Sequence, residues 1–318
     1  MHKRFVNHCT IEFTLSPCGP ILIKSGKEGA DPTKPQMEFV ETYHQGGRSI
    51  YLPGSSLKGA IRAHAERIIR TVGSDRRPSD PNQLWASNPL DLNSYQYLDE
   101  VKDTRELYRL SSFTDQMFGS VSIASRARIE DAYPADKTQL KIEERNGVAI
   151  DRVFGSVAVG PFDYQVCTAG EFRTKIHLKN FTLAQLALIG LVLRDLDDGW
   201  FGLGFAKSRG MGLVEVSLDS VVVQYPGCVL ENDHIKAIGL EQDPWPRNYL
   251  LGAGEFLTSD EAERYGFPHP DHQETPVAGT AMDLGFGVQL TWSGQEDIEK
   301  DLFTPAVKSW TSLLGVAA

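Results

Sequence analysis

Five glycines and two cations crowd the stretch Gly199–Val214, which reads G-W-F-G-L-G-F-A-K-S-R-G-M-G-L-V. Gly199, Gly202, Gly204, Gly210 and Gly212 surround Lys207 and Arg209. Glycine is costly inside helices and strands, so this density needs a turn with positive φ or a close backbone approach. Exposed N–H groups beside a guanidinium suit a phosphodiester backbone, while a sharp helix-to-strand turn would use the same residues for packing. A second chemical stretch is the polar, Gly/Pro-bearing loop Lys24–Gln45, where Asp31 stands among Lys24, Lys27 and Lys34. A carboxylate there could meet a phosphate-bearing substrate, or simply set a turn before Pro32; Glu28 and His44 share the loop. A third is Y-L-P-G-S-S-L-K-G at 51–59, with Ser55 or Ser56 as the natural N-cap and Lys58 and Arg62 one turn apart. The positive end of that helix suits an RNA phosphate; a capped core helix with a solvated basic face is the alternative. His269, Asp271 and His272 resemble a metal trio, but no fourth ligand stands within convincing reach.

The elements that must position these groups follow from periodicity. Residues 4–15 alternate as a strand. Leu57, Ile61, His64, Ala65, Ile68, Ile69 and Val72 make one apolar helix stripe. Residues 73–115 turn polar and read as an insertion with short helices. Phe118–Arg128 alternates again, placing Arg126 and Arg128 outward on a basic edge. Residues 138–165 read as a long projecting hairpin, with Asn146-Gly147 as its turn. Glu171–Leu178 is a strand, and Thr182 and Gln185 form a capping box for an apolar helix to about Leu196. Asp197 and Asp198 close that helix against its dipole. A strand over 211–223 completes the order strand, helix, strand, strand, helix, strand. That order predicts an α+β, ferredoxin-like core. The RNA-recognition module shares this frame, but its base-stacking aromatic signature is missing here.

Composition limits the rest. The 318 residues carry a net charge of −10. Residues 225–318 hold 15 acidic against 5 basic residues, leaving 27 of each in residues 1–224. An acidic average argues against non-specific duplex binding yet permits a basic groove on the neutral part. No apolar run approaches a membrane span, and Met1-His2-Lys3-Arg4-Phe5 lacks a signal core. Four scattered cysteines fit reduced thiols, so a cytoplasmic setting is expected. A dinucleotide site is excluded by order, because the glycines follow a helix and precede a strand.

Taken together, Y-L-P-G-S-S-L-K-G (51–59), F-G-S…S-R…D-A (118–132), R-N-G-V-A-I-D-R (145–152), A-G-E-F (169–172) and G-L-G-F-A-K-S-R-G-M-G (202–212) resemble one family. They look like the RAMP proteins of CRISPR systems, specifically the backbone subunit of type III (Csm/Cmr) effector complexes. The resemblance covers roughly residues 4–223. It implies a core over 1–224, with an insertion at about 73–115 and a thumb at about 138–168. The acidic extension, 225–318, departs from the compact family pattern and is expected to dock on a neighbouring subunit. The implied partners are a CRISPR guide RNA, target RNA and other effector subunits, with no membrane. Guide contacts would fall on Ser55, Ser56, Lys58, Arg62, Arg126, Gly202, Gly204, Lys207, Arg209, Gly210 and Gly212. The thumb residues Ile150, Asp151, Arg152, Val153, Phe154 and Phe162 would wedge into the guide–target duplex. Asp31 matches the family aspartate that supports metal-dependent cleavage of target RNA, with Mg²⁺ as the expected ion. K-S-G-K-E-G-A-D-P departs from the family's usual glycine run, so an RNA-binding scaffold without chemistry of its own is the alternative.

Overall fold

Alternation of apolar and polar residues makes His8–Pro17 (β1) a strand with one buried face, formed by Cys9, Ile11, Phe13 and Leu15. The computed structural model describes residues 4–26, 35–80 and 83–314. After β1 come α1 (Gly54–Val72), β2 (Ala127–Ile129), β3 (Lys141–Ile150), β4 (Val157–Ala169) and β5 (Phe172–Lys179). Then follow α2 (Leu183–Asp197), β6 (Val214–Tyr225), β7 (Val288–Ser293) and α3 (Thr304–Leu313). The main sheet runs Thr280–Ala281, β7, β6, β1, β5, β2, with Tyr133–Pro134 also paired to β5. Every pairing in it is antiparallel. The protein is therefore a mixed α+β fold. Among the described residues no helix is long and apolar enough to cross a membrane.

Register fixes what lies at each end of the sheet. His8 pairs with Lys179 and Gln224, whereas Pro17 pairs with Val214, the last residue of the glycine stretch. A strand of this length separates its ends by about 30 Å.

The helices form for the reasons their sequences suggest, with one exception at α1. Its stripe Leu57, Ile61, Ala65 and Ile69 is buried, but the residue at its N-cap is Pro53, whose side chain makes no cap bond. Neither Ser55 nor Ser56 takes that role, because Asp131 arrives from beyond β2 and its Oδ1 accepts the Gly54 N–H at 2.7 Å. The Thr182–Gln185 capping box opens α2. That helix is apolar on nearly all sides because two layers cover it. α1 and the sheet pack against it, and so does α3, whose Trp310 Nε1 donates to Ala184 O at 2.9 Å.

Composition changes at residue 225, but packing does not. β7 continues the main sheet beside β6, and Trp292, Phe303 and Trp310 join the same hydrophobic core as Phe13 and Ile176. The suspected metal trio is structural. Asp271 is buried and accepts the Leu183 and Gly254 N–H groups, both at 3.0 Å, while His272 pairs with Glu255 at 3.0 Å.

Two local expectations are corrected. Of the alternating run Phe118–Arg128 only Ala127 and Arg128 lie in a strand, which ends at Ile129. The residues before it fold into a tight loop, with the Ser120 N–H on Ile123 O at 2.9 Å. Asn146-Gly147 lies inside β3 and is not the hairpin turn. The turn is Asp151–Ser156, closed by the Asp151 carboxylate, which accepts the N–H groups of Val153 and Phe154 at 2.8 Å each. An aspartate that bonds its own following backbone outcompetes the Asn-Gly preference. Gly147 instead makes room for Phe162, whose ring would meet a Cβ there at 2.5 Å.

Candidate nucleic-acid interface

The glycine stretch divides into a clamp and a tip. Leu203 N–H donates to Gly212 O at 2.8 Å, Gly212 N–H to Pro20 O at 2.9 Å, and Phe205 N–H to Leu22 O at 2.7 Å. Gly202 and Gly212 are buried in that clamp, and a Cβ at Gly204 would lie 2.2 Å from Leu22 O. These three glycines serve backbone-to-backbone packing, the bland alternative for this stretch. The tip, Lys207–Gly210, is exposed. Arg209 lies 5.0 Å from the Phe205 ring centroid, and Lys24 lies 4.1 Å from the same ring. Phe205 thus gathers two cations and holds them near Lys207. Lys24 and Phe205 are the residues that sequence reasoning missed as a unit; the phenylalanine inside G-F-A-K-S-R was the available signal.

The same end of the molecule holds the base of the hairpin and both flanks of the loop carrying Asp31. Ile21 and Cys167 exchange backbone hydrogen bonds at 2.9 Å each. Downstream of the loop, Met37 N–H donates to Asp163 O at 3.2 Å and Gln165 N–H to Met37 O at 3.0 Å. Val40 N–H donates to Ile23 O at 2.9 Å, closing the loop's root. Asp31 itself, with Glu28, Lys27 and Lys34, lies outside the described residues.

Beyond its base the hairpin leaves the body, and nearly all of β3 is exposed. A two-stranded ribbon with so little cover depends on something packing against it. Its turn presents Val153 and Phe154, 82% and 84% exposed, with Ile150 and Arg152 also exposed. Asp151 stays ionised to hold that turn: its two N–H bonds pull its carboxyl below the usual range. Phe162 is half-buried across Gly147 and stabilises the stem, so it does not belong to the exposed tip.

The remaining predicted contacts lie at the other end of the sheet, and several are committed elsewhere. Lys58 Nζ donates to Ser125 Oγ at 2.7 Å and Ala127 O at 3.0 Å, and burial followed by Arg62 lowers its pKa. Arg62 bonds Glu66, Gly119 O and Asp115, at 2.8, 2.7 and 2.8 Å. Arg126 is only 4% exposed, lies 4.0 Å over the Tyr108 ring and donates to Asn180 O at 2.9 Å. Arg62 and Arg126 therefore pin the insertion to the core, and the burial of Arg126 corrects its assignment to an outward basic edge. With Ser55, Arg128, Lys179 and the stacked pair His8–His177, Lys58 borders a groove of about 620 Å³. Burial, then His177, lowers the pKa of His8. The expected contacts thus form two separate places, about 30 Å apart along β1.

The model of the RAMP superfamily matches residues 14–215, well over half of the chain. The protein belongs to the RAMP superfamily. The match runs from within β1 into β6 and takes in the clamp, the tip, the hairpin and α1. RAMP proteins work in CRISPR complexes with RNA and with other subunits. Membership thus gives this RAMP protein a CRISPR-associated, RNA-binding role. No curated protein matches the chain.

Proposed function

We propose that this RAMP protein is a guide-RNA-binding backbone subunit of a type III (Csm/Cmr-like) effector complex that cleaves target RNA with the help of Asp31. One observation carries the reading: Lys24 and Arg209 converge on Phe205 beside both flanks of the Asp31 loop and the hairpin base. The order β6–β1–β5–β2, with α1 and α2 as the crossings, supports a ferredoxin-like frame. In this reading Lys207, Arg209 and the exposed Gly210 hold guide phosphates, and Lys24 adds charge from the neighbouring segment. Val153 and Phe154 suit a wedge against stacked bases, with Arg152 facing phosphate, which is the role of a thumb.

The donor chemistry fits Mg²⁺, which commonly takes one or two carboxylates and completes its shell with water and substrate phosphate oxygens. Among the described residues no group of three or more His, Cys, Asp or Glu side chains could hold an ion; in this reading the RAMP resemblance makes Asp31 the residue that would hold it. A bound ion would supply charge stabilisation at the scissile phosphate. The chain's own part is to fix the backbone on the cationic tip and splay the neighbouring base with the hairpin.

The test uses the assembled complex with guide and labelled target. Asp31→Ala should lower cutting at this subunit's position by on the order of 10²-fold or more, with guide binding intact. Lys207→Ala with Arg209→Ala should weaken guide binding and flatten its salt dependence by up to about two counterions. Undiminished cutting in Asp31→Ala would leave a scaffold without chemistry. An unchanged salt slope would remove the tip from the interface.

A further inference from the structure

The loop Met282–Gly287 is the hairpin turn between Thr280–Ala281 and β7, closed by the Met282 N–H on Gly287 O at 3.0 Å and the Gly285 N–H on Met282 O at 3.1 Å. Leu284 adopts φ +67° in that turn and is 103% exposed, so a branched apolar side chain stands uncovered at its apex. Phe286 is 59% exposed in the same loop. Gly287 N–H donates to Cys228 O at 3.0 Å, and Ile238 N–H to the adjacent Gly227 O at 2.8 Å. Those two bonds bring Ile238, 51% exposed, to the same side of the molecule. Three large apolar side chains left open together mark a surface that another molecule covers.

Charge selects the kind of molecule. Asp283 lies inside the loop, and Glu241 and Asp243 follow Ile238; all three are exposed. The cations flanking Ile238, Glu241 and Asp243 in sequence are already matched, Lys236 with Glu231 at 2.5 Å and Arg247 with Asp233 at 2.7 Å. A phosphate backbone would be repelled here, whereas a protein pocket that is apolar inside and rimmed by lysine or arginine would be complementary. We infer that Leu284 and Phe286 are the anchors by which residues 225–318 dock this chain onto a different protein subunit, one presenting such a basic-rimmed apolar pocket. The inference rests on the reading of the chain as a member of a multi-subunit complex. It assigns the contact to a loop on the far side of β7 from the RNA-facing tip.

The test co-expresses the full chain with the proteins encoded beside it and measures assembly, while guide binding is measured on the chain alone. Leu284→Gly relieves the left-handed backbone, so it should raise the isolated chain's Tm by about 1–3 °C. It should nevertheless weaken assembly. Leu284→Gly with Phe286→Ser should weaken it at least tenfold, and Asp283→Lys should weaken it further at low salt than at high salt. Guide binding should not change in any of these variants. Assembly within twofold of wild type in the double variant would overturn the inference. So would loss of a self-association of the chain alone, because the contact would then join two copies. Failure of guide binding in the wild-type chain would instead count against the proposed function and leave the docking result readable.

Discussion

Gly212→Ala is expected to destabilise the protein by roughly 3 kcal/mol or more, while Gly210→Ala, two residues away, should cost only about 1 kcal/mol. Both glycines have positive φ, +85° and +76°. The left-handed backbone therefore penalises alanine similarly at each. Space differs. A Cβ at Gly212 would sit 2.1 Å from Leu203 O and 3.0 Å from Leu203 N, while a Cβ at Gly210 meets nothing within 4 Å. The contacts at Gly212 are backbone, so they cannot rotate away. Relieving them breaks the Leu203-to-Gly212 hydrogen bond and loosens the clamp on Pro20 and Leu22. Urea denaturation of the two variants gives the measurement through the shift in midpoint. RNA binding should respond in the opposite sense, because Gly210 lies in the exposed tip and Gly212 in the clamp. Equal stability losses would mean that the clamp is not what the glycines are for.

This contrast shows where the sequence was readable. The alternation of β1 and the stripe of α1 depend on which residues face the core, and that information is local, so both elements fall where periodicity puts them. The capping box of α2 is equally local. The glycine stretch shows only that some residues need positive φ or close approach; it does not show whether the approaching group is RNA or carbonyl oxygen. Leu22 O and Leu203 O answer for Gly204 and Gly212, and the first of these comes from a distant part of the chain. The N-terminus of α1 is likewise decided by Asp131, far from Ser55 in sequence. Arg62 and Arg126 looked like solvated cations because their acceptors, Asp115, Gly119 O and Asn180 O, belong to other elements. The apolar completeness of α2 hinted at a second covering layer, and the acidic composition of residues 225–318 obscured that α3 supplies it.

Arg62→Ala should cost about 3–5 kcal/mol, although an exposed arginine on a helix face would cost a few tenths. The reason is Asp115, which is 0% exposed. Its Oδ1 accepts from Arg62 Nη2 at 2.8 Å, and its Oδ2 from Ser87 Oγ at 2.5 Å and Ser112 Oγ at 2.7 Å. Arg62 also spans to Gly119 O and Glu66, so one guanidinium ties α1 to the short helix Phe113–Phe118 and to the loop before β2. Burial opposes the charge on Arg62, but Glu66 and Asp115 outweigh it and leave the guanidinium more firmly protonated than usual. Removing the cation strands a buried carboxylate whose hydroxyl partners cannot neutralise it. Lysine should not rescue the loss, because an ammonium cannot reach three acceptors in a plane as the guanidinium does. Replacing both charges, Arg62→Met with Asp115→Leu, should recover part of the stability, since the costly species is the unpaired ion. Throughout the series the salt slope of guide binding should stay at the wild-type value. A fall in that slope with Arg62→Ala and no loss of stability would return Arg62 to the RNA and undo its assignment as a core tie.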